Sequence, residues 1–136
     1  MSTVFTKIVK GDIPGYKLAE DERFYAFLDI NPLSKGHALV IPKQETDYLF
    51  DLPPALLGDL FRFAQQVAGA IRRSVPCKRI GVVVLGLEVP HAHIHLVPLN
   101  SESDVDFRKP KLKLPPEEMA ALAEKINKEY LSNYEL

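Results

Sequence analysis

Histidine stands at every second position of His91-Ala92-His93-Ile94-His95-Leu96-Val97-Pro98, with apolar residues between. An extended strand puts alternate side chains on one face, and a rise of about 3.3 Å per residue repeats the imidazoles every ~7 Å. The segment predicts a half-buried strand over 91–99, with three imidazoles along one surface and Ala92, Ile94 and Val97 turned to the core. Three of the chain's four histidines lie within these five residues, which argues for chemistry rather than a polar strand face.

Two chemistries suit such a row. In a metal site, two imidazoles act as ligands and a third ligand comes from elsewhere, completed by water or carboxylate. In a phosphate site, one neutral imidazole attacks phosphorus while its neighbours donate hydrogen bonds to the non-bridging oxygens. An unperturbed pKa of about 6.5 leaves much of a histidine neutral near pH 7, and cationic neighbours lower it further. His93, the central member, is the natural nucleophile. His37 follows the Lys35-Gly36 turn at the head of another apolar run, from which it can join the three.

The rest of the chain supplies the frame. Val4, Phe5, Ile8 and Val9 recur with helical spacing behind Thr3, a suitable N-cap, and Gly11 supplies the stop. Residues 16–20 and 24–30 read as a β-hairpin, and 37–41 as a buried strand closed by Pro42. From Asp51 the period changes. Leu56, Leu57, Leu60, Phe61, Ala64, Val67, Ala68 and Ile71 share one helical face, and Pro53 and Pro54 fit the first turn, where amides lack intrahelical partners. A strand over 79–85 can pair antiparallel with 91–99. Residues 100–114 are polar without a period and read as a loop or arm. Pro115-Pro116-Glu117-Glu118 opens a second amphipathic helix carrying Met119, Leu122, Ala123, Ile126 and Tyr130. The expected fold is α+β: a mostly antiparallel sheet of about five strands, one long inserted helix and a C-terminal helix. That last helix is expected to border the active site.

At 136 residues the chain suits a single domain. Seventeen Lys plus Arg against eighteen Asp plus Glu give a net charge of -1, so no overall field recruits a nucleic acid polymer or an anionic membrane. No stretch approaches the roughly 18 apolar residues of a membrane span, and the start, MSTVFTKIVKGDIP, carries charges where a signal peptide is apolar. The single cysteine, Cys77, rules out an internal disulfide and fits a reducing, cytoplasmic setting.

His91 to Val97 resembles the signature of the histidine triad (HIT) family of nucleotide hydrolases and transferases, His-φ-His-φ-His-φ-φ with φ apolar, and in particular its small Hint-like branch. Residues 3–8, Ala26-Phe27-Leu28-Asp29-Ile30-Asn31-Pro32 and Gly36-His37-Ala38-Leu39-Val40-Ile41-Pro42-Lys43 follow the family pattern in the same order. The resemblance covers residues 3–99 of one domain over 1–136 and leaves 100–136 as a C-terminal arm and helix.

The resemblance implies a nucleotide phosphoramidase or hydrolase acting at the α-phosphate of a nucleoside through a nucleotidyl-histidine on His93. It implies that His95 contacts the phosphate, that His91 orients the site and handles the leaving group's proton, and that His37 supports the triad. Asp29 occupies the position that bonds the ribose hydroxyls, and Phe5, Ile8, Phe27 and Ile30 match the apolar lining of a purine pocket. A homodimer needing no metal or other cofactor for its chemistry is implied as well. Within the family, a dinucleoside polyphosphate hydrolase or a nucleotidyl transferase is the alternative. Outside it stand a metal-dependent enzyme using the histidine cluster as ligands and a nucleotide-binding module with little catalysis.

The chain departs from the family pattern in three places. Many members carry Gly-Gln-Ser or Gly-Gln-Thr before the triad, where this chain reads Gly86-Leu87-Glu88-Val89-Pro90. A carboxylate beside phosphate is repelled unless a cation lies between them, so Glu88 is a candidate selector of a cationic leaving group such as an amine. Some relatives hold zinc on an N-terminal Cys-x-x-Cys, which is missing here, so structural zinc is not expected. Many have a histidine soon after the Pro-Lys pair, where this chain has Gln44-Glu45-Thr46.

Overall fold

A computed structural model describes residues 2–134. The elements run α1 (Val4–Lys10), β1 (Lys17–Glu20), β2 (Phe24–Leu28), β3 (Ala38–Pro42), α2 (Pro54–Ser74), β4 (Arg79–Val83), β5 (Ile94–Leu99) and α3 (Pro116–Tyr134). The strands form one antiparallel sheet in the order β1-β2-β3-β5-β4. This is the expected α+β architecture. Single 3-10 turns at Leu49–Asp51 and Glu102–Val105 interrupt loops, the second inside the arm.

Local chemistry explains the element ends. The Thr3 hydroxyl accepts from the Thr6 amide at the start of α1, and Gly11 ends that helix in the left-handed region at φ 82°. Gly36, at φ 95°, turns the chain into His37, and a Cβ there would meet a Val75 methyl at 3.0 Å. Pro54 opens α2 in its first turn, as anticipated.

The two faces of the sheet differ in kind. Leu18, Phe24, Ala26, Leu28, Ala38, Val40, Ile94 and Leu96 point to one side, where α2 and α3 cover them. The other side gathers Tyr25, Phe27, Leu39 and Ile41 under Phe5 of α1. Burial on α2 also corrects the helical face: Phe63 and Ala70 are buried, whereas Phe61 is exposed. The stripe is rotated because sheet and α3 contact it together. Among the described residues no helix is long and apolar enough to cross a membrane.

Strand boundaries shift, by one residue at β1 and β3 and by more at three ends. β2 ends at Leu28, β4 at Val83, and β5 begins at Ile94 rather than His91. The shortening of β5 matters most, because His91, Ala92 and His93 then lie before the sheet pairing starts. Leu96, not Val97, continues the core-facing parity of Ala92 and Ile94, as the period of two requires. The helix α3 packs on α2 and β1, on the apolar side. It does not border the histidines.

Candidate active site

All four histidines are buried: His91 to 0% exposure, His37 to 1%, His93 to 7% and His95 to 8%. Register puts His95 on the α1 side of the sheet, since it lies opposite Leu39, which in turn faces Phe27. The ring of His93 stands 5.1 Å from that of His95 and 5.0 Å from Phe5, both edge to face. His37, one residue before β3, has its ring 5.2 Å from His95. The sheet thus brings the fourth histidine beside the triad from a site 58 residues away in sequence.

Hydrogen bonds fix which nitrogen of each neutral ring carries the proton. The Leu33 amide donates to His37 Nδ1 at 3.0 Å, so the proton of His37 sits on Nε2. That Nε2–H donates to His95 Nδ1, 3.0 Å away, and His95 therefore keeps its own proton on Nε2. His93 Nδ1 lies 2.7 Å from the His91 carbonyl oxygen, an atom that can only accept. Its Nδ1 is protonated, and Nε2 remains the basic nitrogen. His91 donates from Nε2 to the Pro42 carbonyl at 2.8 Å, and its Nδ1 meets the Thr3 hydroxyl at 2.8 Å.

The electrostatics favour the neutral forms of His37, His91 and His95. Burial, with His95 and Lys111 nearby, pushes His37 down to about 3. Burial and the neighbouring His93 push His95 down to about 4. Burial also lowers His91, against the opposing pull of the Pro42 carbonyl and Glu45. His37, His91 and His95 are protonated less readily because their charged forms would lose water.

Asp29 Oδ1 accepts from the Asn31 amide at 2.8 Å, and its other oxygen lies 3.6 Å from His37 Nε2. It both caps its turn and faces the histidine cluster. Burial raises its pKa, opposed by the Asn31 amide, His93 and Lys111. Phe5 and Phe27 are buried edge to face at 5.5 Å, and Ile8 packs on their cluster. Ile30 stands 67% exposed, outside that packed group, and Glu88 is exposed in the loop before the triad.

Sequence reasoning missed two groups. Phe107 lays its ring 4.9 Å from His95 and 6.0 Å from His37, so the arm, rather than α3, walls the site. Lys111 donates to the Phe107 carbonyl at 2.5 Å and acts electrostatically on both Asp29 and His37. The available signal was that Phe107 is the one aromatic among residues 100–114. The second group is Thr3, Thr6 and Glu45, which meet around His91 Nδ1.

The HIT domain family model matches residues 10–102. The chain belongs to the HIT family. It is 40% identical over 129 residues to adenosine 5'-monophosphoramidase hnt1 of Schizosaccharomyces pombe, spanning 93% of this chain and 97% of that protein. A HIT-like protein of Bartonella henselae described as involved in cell-cycle regulation superposes with a TM-score of 0.81 at 27% identity, over 94% of this chain and 96% of that one. A zinc-bound histidine triad protein of Mycobacterium smegmatis does so at 0.82 and 30% identity, over 97% and 95%.

A thiolate-pair zinc site does not fit this HIT chain, because Cys77 stands alone between α2 and β4. Asp29, His37 and His95 do bring ligand atoms within 4.8 Å of one another. Their nitrogens are already used differently: Nδ1 of His37 accepts from a backbone amide and Nε2 donates to His95. The Lys111 ammonium, which acts on Asp29 and His37, supplies positive charge at the same place.

Proposed function

We propose that this protein is a nucleoside phosphoramidate hydrolase that works through covalent catalysis by His93. The observation that carries this reading is the His93 Nδ1–H···O=C bond to His91 at 2.7 Å, which leaves Nε2 as the free lone pair beside a donor, His95 Nε2–H. In the first step Nε2 attacks the α-phosphorus, the bond from phosphorus to the leaving nitrogen breaks, and that nitrogen takes the electron pair and a proton as it departs. Water then attacks the phosphorus and displaces His93, releasing the nucleoside monophosphate and restoring the ring. His95 holds a non-bridging oxygen, and His37 holds His95 in the tautomer that donates. The 40% identity to an adenosine 5'-monophosphoramidase supports the substrate class.

Asp29 would accept from the two ribose hydroxyls through Oδ2, the oxygen left available when Oδ1 accepts from the Asn31 amide. Phe5, Ile8, Phe27 and the exposed Ile30 would line a purine site by flat contact. Glu88 would favour an amine leaving group, a role supported by its place beside Val89, which packs on the Phe5 cluster. The side chain of His91 is committed at both nitrogens, so its part is orientation, and the leaving nitrogen takes its proton from the solvent water whose oxygen attacks phosphorus in the second step. A homodimer in the cytoplasm completes the reading. The dimer is supported by the outer edge of β4, which no strand of the described residues pairs, with Val82 exposed there and Val84, Leu85 and Leu87 exposed in the loop after it.

The test is turnover of an adenosine phosphoramidate by chelated protein. The expected result is AMP release, a trapped nucleotidyl adduct and a loss of at least about 10⁴-fold in His93→Ala. Binding without turnover, or turnover that depends on added zinc, would overturn it.

A further inference from the structure

The nucleophile's segment lies outside the sheet, so something other than strand pairing must hold it. The His91 amide donates to the Val89 carbonyl at 2.8 Å, and the Ala92 amide donates to the Thr46 carbonyl at 2.7 Å. The His91 ring bridges the Pro42 carbonyl and the Thr3 hydroxyl. Two of these four anchors belong to the end of β3 and the stretch that follows it, and one belongs to the start of α1.

Glu45 ties those two elements to each other. Its Oε1 accepts from the Thr3 amide at 2.8 Å and from the Thr6 hydroxyl at 2.6 Å. The Thr6 hydroxyl lies 3.5 Å from His91 Nδ1, and its amide donates to Thr3 Oγ1 at 3.1 Å. The Thr6 proton is spent on the carboxylate, and the Thr3 hydroxyl, 3.3 Å from Thr6 Oγ1 but only 2.8 Å from His91 Nδ1, donates its own to the nearer ring nitrogen. That bond is the partner of the one from His91 Nε2 to Pro42, and together they allow one tautomer and one ring orientation.

We infer that Glu45 is a positioning residue that acts through Thr6 and Thr3 on His91, and so on the carbonyl that orients the nucleophile His93. The chain of contacts runs from an exposed carboxylate to a fully buried ring. A carboxylate at Glu45 is a strong acceptor for both the amide and the hydroxyl, and burial of the His91 ring makes an unfilled nitrogen there costly. The same tie fastens α1, which carries Phe5 and Ile8, to the loop after β3, whose Thr46 carbonyl in turn holds the Ala92 amide next to His93. The apolar wall and the nucleophile are thereby held as one unit.

This inference rests on His93 as the nucleophile, and its test separates the two ideas. Histidine ¹⁵N spectra of the full-length protein report the tautomer of His91 independently of turnover. The wild type should show His91 protonated at Nε2 with a hydrogen-bonded Nδ1. Glu45→Gln keeps an acceptor oxygen and should keep that signature, with kcat within about three-fold of wild type. Glu45→Ala and Thr3→Val should shift the Nδ1 resonance and lower kcat on an adenosine phosphoramidate about ten-fold, the weight of one hydrogen bond, with KM changed less. An unchanged His91 spectrum and wild-type kcat in Glu45→Ala would overturn the inference. So would an equal loss in Glu45→Gln and Glu45→Ala, because that would assign the effect to charge instead of the hydroxyl relay. If the wild type turns nothing over yet its His91 spectrum responds to Glu45→Ala, the hydrolase reading fails while the positioning contact stands.

Discussion

The two faces of one sheet show how differently buried residues can be stabilised. On the α2–α3 face, Leu18, Val40, Ile71, Ile94 and Ile126 are fully buried and apolar, and packing alone satisfies them. On the α1 face, His37, His91, His93 and His95 are almost as buried, yet the nitrogens that face protein are matched by an amide, a carbonyl, a hydroxyl or a second ring. The first face tolerates approximate shape. The second requires directed bonds, since a buried polar atom without a partner costs about 1–3 kcal/mol.

Truncation on the apolar face should give the largest loss of stability with the least effect on chemistry. Ile126→Ala in α3 should cost about 2–5 kcal/mol, read by denaturant unfolding, while kcat of the folded protein stays at the wild-type value. A large loss of kcat would mean that α3 borders the site after all and would erase the contrast.

Acid should attack the other face selectively. The folded-state values of His37 and His95, about 3 and about 4, lie below the unfolded value near 6.5. Between those limits the unfolded chain binds more protons, so stability is complete above pH 6.5 and falls as pH drops toward 4. His95 alone accounts for roughly 3 kcal/mol over that window. The raised pKa of Asp29 works in the opposite sense and softens the slope. Unfolding curves from pH 7 to 4 check the sign; a flat profile would mean that these rings are hydrated and not buried.

The smallest expected effect tests where the histidine face ends. Glu88→Gln should reduce the preference for amine over phosphate leaving groups by no more than about five-fold, the scale of an exposed charge pair. Competition assays with two substrates give the ratio directly. An unchanged ratio would place Glu88 outside the site.

Much of this arrangement was readable in advance. Thr3 and Gly11 bracket α1, Pro54 opens α2, and alternation identified both β5 and its unusual face, because caps, turns and strand parity depend on near neighbours in sequence. The same locality explains the errors. Alternation through His91 and His93 looks identical to that of a strand, but pairing with β3 and β4 starts at Ile94, and pairing is a property of partners. Phe107 and Glu45 carry no local sign of their targets: they reach His95 and the threonines beside His91 across loops whose course no periodicity encodes.

By itself, then, the amino-acid sequence determined the class of fold, the family pattern and the identity of the groups able to do chemistry, since these follow from residue type and spacing. Tertiary structure decided which nitrogen of each imidazole holds its proton. That choice depends on the amide of Leu33, the carbonyls of Pro42 and His91 and the hydroxyl of Thr3; two of these, Pro42 and Thr3, are far from His91 in sequence and meet its ring only once the chain has folded, and the two local ones act through a loop course that spacing does not encode.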